Sequence, residues 1–242
     1  MHELEKQQRL LEKRREAFGD ALSLYDYRFE RDSGTVPQME KIRSYAESWD
    51  AMYRENMGLL LWGKPGSGKT FAAGCIANHL IEREGRRSAA VRMTTFGTIL
   101  NRLPGMPLAD KEHYLRGFQT CDLLILDDFG MERRTDYARE QVFHIIDSRY
   151  LARRPLIITT NLSLRELKNP VDMMDQRLYD RVLEMCVPVC FDGESQRRSR
   201  AGEKVRRFKE LAMPSAEGGF RSPERVTFTR KGHAASVEQQ SR

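Results

Sequence analysis

Long apolar runs are missing from this 242-residue sequence. Its apolar stretches are of the size of Leu59–Trp62 and Leu123–Leu126, four residues each. A membrane-spanning helix needs about 20, so no span and no membrane partner is expected. The first ten residues, MHELEKQQRL, mix charges of both signs and hold no apolar core, which argues against a secretory signal. Cysteine is scarce: Cys75, Cys121, Cys186 and Cys190 form no CxxC pair and fit no familiar disulfide or zinc spacing. Reduced thiols in a cytoplasmic protein are the simple reading, with Cys186 and Cys190 as small buried hydrophobes. The five histidines, His2, His79, His113, His144 and His233, are scattered and pair at no metal-ligand spacing.

What is present is a soluble composition, 40% hydrophobic and 31% charged. A chain of this length buries enough surface for a core without staples. The net charge of +6 is uneven. From Arg197 to Arg242 there are 12 basic and 5 acidic residues, a net of +7, and the preceding residues carry −1. A basic end suits an anionic partner such as nucleic acid, or serves as a solubilising, disordered end.

Glu3–Phe18 is rich in Glu, Lys, Arg and Gln, with a thin apolar stripe at Leu4, Leu11 and Phe18. It reads as an exposed helix, free in solvent or docked to a partner. Gln38–Tyr53 repeats apolar residues at spacings of three and four. From Gly58 onward short apolar runs alternate with amphipathic segments. Strands are expected at Leu59–Trp62, Ala89–Met93, Leu123–Asp127, Leu156–Thr160 and Val187–Phe191. Helices are expected at Lys69–Glu84, Phe96–Leu103, Tyr137–Leu151, Met173–Met185 and Gln196–Met213. Continuous apolar strands separated by helices predict an α/β fold, a parallel sheet sandwiched by helices. Arg221–Arg242 reads as irregular.

Gly63-Lys64-Pro65-Gly66-Ser67-Gly68-Lys69-Thr70 matches GxxxxGK[ST] in full, between a strand and a helix. Gly66 and Gly68 let the backbone fold back with its N–H groups turned inward. Together with a helix N-terminus they make a concave site for polyphosphate. Lys69 reaches the β- and γ-phosphates, and the Thr70 hydroxyl is a ligand for Mg²⁺. Phe71 completes the candidate nucleotide-binding set.

Leu123–Leu126 is followed by Asp127 and Asp128, at the strand end where open α/β sheets bind ligands. Asp127 is expected to hold Mg²⁺ through water and Asp128 to polarise an attacking water, strand alternation keeping the two side chains apart. Leu156–Thr160 ends at Asn161, which serves either as a turn residue or as a hydrogen-bonding partner of the γ-phosphate or the lytic water. Arg177 and Arg181 lie four apart on one helix face. They suit contact with the γ-phosphate of a neighbouring copy, or a plain charged face with Asp180. Arg197 and Arg198 open the last helix, where they can sense nucleotide in cis. Thr94 and Thr95 precede Phe96–Leu103 as caps.

GKPGSGKT, LLILDDFG, PLIITTNLS, RLYDRV and GESQRR, in this order, resemble the AAA+ ATPases, and within them the DnaC/IstB-like helicase-loader family. The resemblance covers about Tyr25 to Leu211. It implies an AAA+ P-loop fold with a reduced C-terminal helical lid, over an N-terminal helix (1–22), an ATPase domain (23–213) and a basic, disordered tail (214–242). It implies slow ATP hydrolysis with Mg²⁺, Asp127 and Asp128 as Walker B acids and Asn161 as sensor 1. It also implies an arginine finger at Arg177 or Arg181, Arg197 as sensor 2, and, as the alternative to capping, Thr94 and Thr95 facing single-stranded DNA. The implied partners are single-stranded DNA, further copies in an ATP-dependent homo-oligomer, and a replicative helicase, or a transposase for the IstB branch. Members usually carry a longer N-terminal helicase-binding region than the residues preceding Tyr25.

Overall fold

The computed structural model describes residues 2–34, 36–83, 89–130, 135–170 and 172–212. The chain divides into two units, Met1–Ala201, which holds the sheet, and Gly202–Arg242. The first unit opens with α1 (His2–Phe18), two 3-10 turns (Leu22–Asp26 and Phe29–Arg31), α2 (Met39–Glu47) and α3 (Trp49–Arg54). Strands and helices then alternate: β1 (Gly58–Gly63), α4 (Lys69–Glu82), β2 (Val91–Thr95), α5 (Phe96–Arg102), α6 (Leu108–Thr120), β3 (Leu123–Phe129), α7 (Asp136–Leu151), β4 (Leu156–Thr160), α8 (Leu164–Lys168), α9 (Met173–Met185) and β5 (Cys186–Phe191). α10 (Gln196–Ala212) crosses the division between the units.

The five strands form one parallel sheet in the order β2-β3-β4-β1-β5. Alternate residues of each strand enter different cores. Leu59, Leu61, Leu123, Ile125 and Ile157 face the side of α1, α2 and α4. Leu60, Leu124, Leu126, Leu156 and Ile158 face the side of α5 to α9. Both faces are covered, so the strands read as unbroken apolar runs. Each fully buried Leu or Ile contributes roughly 1.5–3 kcal/mol. Apart from Asn78, the buried residues of α4 from Ala72 and Ala73 to Leu80 are small or apolar, which lets the helix lie close against β2 and β4.

α7 is fastened by a buried arginine. The Arg149 guanidinium donates to the carbonyls of Phe118, Cys121 and Pro155 at 2.8, 3.0 and 2.6 Å, joining α7 to the end of α6 and the strand entries. At the sheet edge, Lys64 N donates to Phe191 O, so the backbones of Val187, Val189 and Phe191 face β1 and those of Cys186, Pro188 and Cys190 face outward.

Several boundaries differ from expectation. β2 begins at Val91, two residues later, and β3 continues to Phe129. The expected helix Gln38–Tyr53 is two helices, because Ser48 leaves helical geometry (φ −89°, ψ 16°) and turns Trp49 into the core between Tyr45 and Tyr53. α6 and α8 were not anticipated. Phe118 is the buried residue of α6, too thin a stripe to show a period. Cys190 is half-buried rather than buried, since β5 is an edge strand. The tail, 214–242, lies outside the described residues, as does Met213 before it.

Candidate active site

The turn between β1 and α4 is made by three glycines in the left-handed region, Gly63 (φ 135°), Gly66 (φ 81°) and Gly68 (φ 103°). Side chains rarely adopt these angles, so the loop needs glycine there. Ser67 is buried and its hydroxyl donates to Lys64 O at 2.8 Å. Lys69 opens α4 and is 5% exposed. Its ammonium donates to Gly63 O and Lys64 O at 2.8 Å each, and to Asn161 Oδ1 at 2.9 Å. The charge is thereby held at the mouth of the loop, beside the N-terminus of α4.

Thr70 donates to Asp127 Oδ1 at 3.0 Å, and Thr159 donates to the same oxygen at 2.6 Å. Burial pushes the Asp127 carboxyl up from its ordinary value, against the lowering effect of the Thr159 hydrogen bond. The neighbouring Asp128 is exposed, with φ +54°. The two acids diverge through a bulge rather than through strand alternation. Leu126 pairs with Ile158 and Phe129 with Thr160, so Asp127 and Asp128 together stand opposite Thr159 alone.

A cleft of about 800 Å³, open to solvent, lies over this floor. Pro65, Gly66, Gly68, Lys69, Thr70 and Phe71 line one part, with Asp128 and Asn161. The opposite wall is Tyr27, Arg31, Asp32, Ser33 and Val36, from the segment before α2. None of these five was anticipated. The Tyr27 and Phe71 rings lie 5.3 Å apart. Asn78, buried in α4, donates to Leu24 O and Tyr27 O at 2.8 and 2.9 Å and so pins that segment to the P-loop helix. Gly74 leaves room for it: a Cβ there would lie 2.7 Å from the Tyr27 ring. Only an apolar or aromatic residue shortly before a helix hints at such a wall in sequence.

The arginines behave differently from one another. Arg181 Nε donates to Asp147 Oδ1 at 2.5 Å, and its guanidinium lies over the Phe143 and Tyr150 rings. Arg177, one turn earlier on α9, is exposed and makes no ion pair among the described residues. Neither lines the cleft of its own chain. Arg197 stands in the first turn of α10, and its side chain lies outside the described residues. Close by, Gln196 N donates to Gly66 O at 2.9 Å, which joins the start of α10 to the P-loop. Thr95 caps α5, its hydroxyl accepting from Thr98 N.

A family model described as IstB-like ATP binding protein matches residues 3–204. The chain belongs to the IstB-like ATP-binding family. Among curated relatives, this IstB-like chain is 30% identical to the replicative helicase loader DnaI of Bacillus subtilis over 69% of its own length and 55% of that protein. It is 27% identical to the replicative helicase loader DnaC of Escherichia coli over 75% of its length and 71% of that protein. A crystal structure of the DnaC helicase loader superposes with a TM-score of 0.54 at 27% identity, covering 63% of the IstB-like chain and 87% of that one. A crystal structure of DnaI gives a TM-score of 0.60 at 18% identity, covering 72% and 95%. The fold is that of an AAA+ P-loop ATPase, a parallel sheet between helices. No helix among the described residues is long and apolar enough to cross a membrane.

Proposed function

We propose that this protein binds and slowly hydrolyses ATP and couples that cycle to loading a replicative ring helicase onto single-stranded DNA, as an ATP-dependent assembly of copies. One observation carries the reading. At the ends of three neighbouring strands Lys69 is hydrogen-bonded to Asn161 and Thr70 to Asp127, and Lys69, Thr70, Asn161 and Asp128 line one cleft. The names of the DnaI and DnaC relatives support the loader role.

The residues fit a triphosphate with Mg²⁺. The loop leads into the N-terminus of α4, whose first amides suit an anion, and holds the Lys69 ammonium beside it through the Gly63 and Lys64 carbonyls. The Thr70 hydroxyl and Asp127 carboxylate, 3.0 Å apart, are hard oxygen donors of the kind Mg²⁺ takes. Bound Mg²⁺ supplies neutralisation of phosphate charge. Asp128, exposed in the cleft, is placed to polarise water, and Asn161 to orient it or the terminal phosphate. In this reading Arg177, exposed and unpaired among the described residues, reaches the nucleotide of the next copy, and Arg197 acts as the sensor in cis. Tyr27, Val36 and Phe71 form the apolar wall for the base. The basic segment beyond residue 212 supplies phosphate contacts to DNA.

The IstB-like family match favours a second reading, assistance to a transposase. Pull-down of the tagged full chain from its host separates the two by the partner retained. DNA binding is tested by fluorescence anisotropy with a labelled single-stranded oligonucleotide over a salt series, with and without ATP. Deleting 215–242 should flatten the salt dependence and keep the ATP effect, while Lys69→Ala should do the reverse. Absence of any ATP effect in the intact protein would remove DNA from the proposed cycle.

A further inference from the structure

Thr159 lies on β4 two residues before Asn161, fully buried. Its hydroxyl serves both acids at once. It donates to the Asp127 carboxylate at 2.6 Å and accepts from the Asp128 amide at 3.0 Å. The place where it does so is the bulge, where two β3 residues stand opposite one of β4. A bulged residue loses its ladder partner, and here the hydroxyl takes the amide that the ladder leaves over.

The bulge also decides where Asp128 points. Leu124 and Leu126 face the core beneath α5 to α9, and strict alternation would send the next even residue, Asp128, into that core. Phe129 enters it instead, packed 5.9 Å from the Phe96 ring. The one-residue shift keeps the carboxylate out of an apolar interior and delivers it to the cleft, with the backbone in the left-handed region at φ +54°. An L-residue with a side chain disfavours that region, so the conformation needs support from its surroundings.

We propose that Thr159 is a positioning residue for ATP hydrolysis. Its hydroxyl holds the bulge that aims Asp128 into the cleft while Asp127 stays turned to Thr70. The proposal rests on the reading of the cleft as an ATP-hydrolysing site. Thr159 touches neither substrate nor the attacking water, and acts through the acids.

The test uses the full chain with Thr159→Val, which keeps the shape and loses the hydroxyl, and Thr159→Ser, which keeps the hydroxyl. Circular dichroism and thermal melting establish that each is folded. Hydrogen exchange read by NMR on the nucleotide-free protein should show the Asp128 amide exchanging roughly 10-fold faster or more in Thr159→Val, with Thr159→Ser near wild type. In steady-state assays Thr159→Val should lower kcat about 100-fold, the scale of a small misplacement of a reacting group, and leave KM for MgATP within a few-fold. Thr159→Ser should recover most of kcat. In an Asp128→Asn background Thr159→Val should add no further loss of kcat, because the group it positions is already disabled. Unchanged exchange at Asp128, wild-type turnover in Thr159→Val, or equal losses in Val and Ser would overturn the proposal. A wild-type protein that binds but never hydrolyses ATP would defeat the hydrolytic reading, and exchange at Asp128 would still decide whether Thr159 holds the bulge.

Discussion

Lys69 Nζ and Asn161 Oδ1, ninety-two residues apart in the chain, stand 2.9 Å from each other. The contact ties the P-loop on β1 to the end of the adjacent strand β4. In the proposed cycle, a phosphate arriving at the loop would meet a lysine already oriented by its neighbour. Lys69→Ala removes a charge-assisted contact worth about 1.5–3 kcal/mol, so ATP affinity should fall roughly 10- to 150-fold. Asn161→Ala should bind ATP within a few-fold of wild type and turn it over more slowly. Isothermal titration and phosphate release measure the two effects, and normal ATP affinity in Lys69→Ala would exclude the loop as the nucleotide site.

The two arginines of α9 should separate on different axes. Arg177→Ala should leave thermal stability and ATP affinity unchanged and cut assembly-stimulated hydrolysis by about 10³-fold, as loss of an arginine finger does. Arg181→Ala breaks the contact with Asp147 and uncovers Phe143 and Tyr150, so its main effect should be a lower melting temperature. Turnover independent of protein concentration and indifferent to Arg177→Ala would end the trans assignment.

Gly74→Ala puts a better helix former in α4, a gain of about 1 kcal/mol in an open helix. Here the new Cβ meets the Tyr27 ring at 2.7 Å and the Tyr27 Cβ at 2.9 Å. Tyr27 must shift from the cleft wall. Affinity for ATP should fall while affinity for inorganic tripolyphosphate holds. Equal losses for both ligands would place the base elsewhere.

Asp172 caps α9 through Met174 N and is held below the ordinary carboxylate range, first by its hydrogen bond with Arg139 and then by that amide. A depressed carboxylate stabilises the fold above its unfolded pKa, near 4. That contribution is lost as pH falls through the lower folded value. Asp172→Ala should therefore melt below wild type at neutral pH, and the two curves should converge in acid. A constant gap across the range would assign the loss to helix geometry instead of charge.

Much of this architecture is legible in the residues. The strands announce themselves as apolar runs because both faces of the sheet are covered, and GKPGSGKT carries its own turn chemistry in its glycines. The acids and Asn161 are visible because polar residues end apolar strands at one edge. The wall at Tyr27 and Arg31 is not visible, since it depends on Asn78 holding a loop whose own residues repeat no period. Nor is the role of Thr159, which exists only because β3 carries one residue more than β4 at that height. α6 escaped for a different reason: Phe118 is its one fully buried side chain among the described residues, with Tyr114 and Leu115 half-buried beside it, and its first turn is exposed.

The outer edge of β5 limits how this protein can meet other chains. Of its outward-facing positions, Cys186 gives its amide to Val182 O and Pro188 has none, which leaves Cys190. A neighbouring strand that tried to extend the sheet there would find one donor where a ladder needs a row. Fusion of sheets between copies is closed on this side, and with it a route to irreversible aggregation. A second copy that met this flank would have side chains to hold, not a backbone ladder.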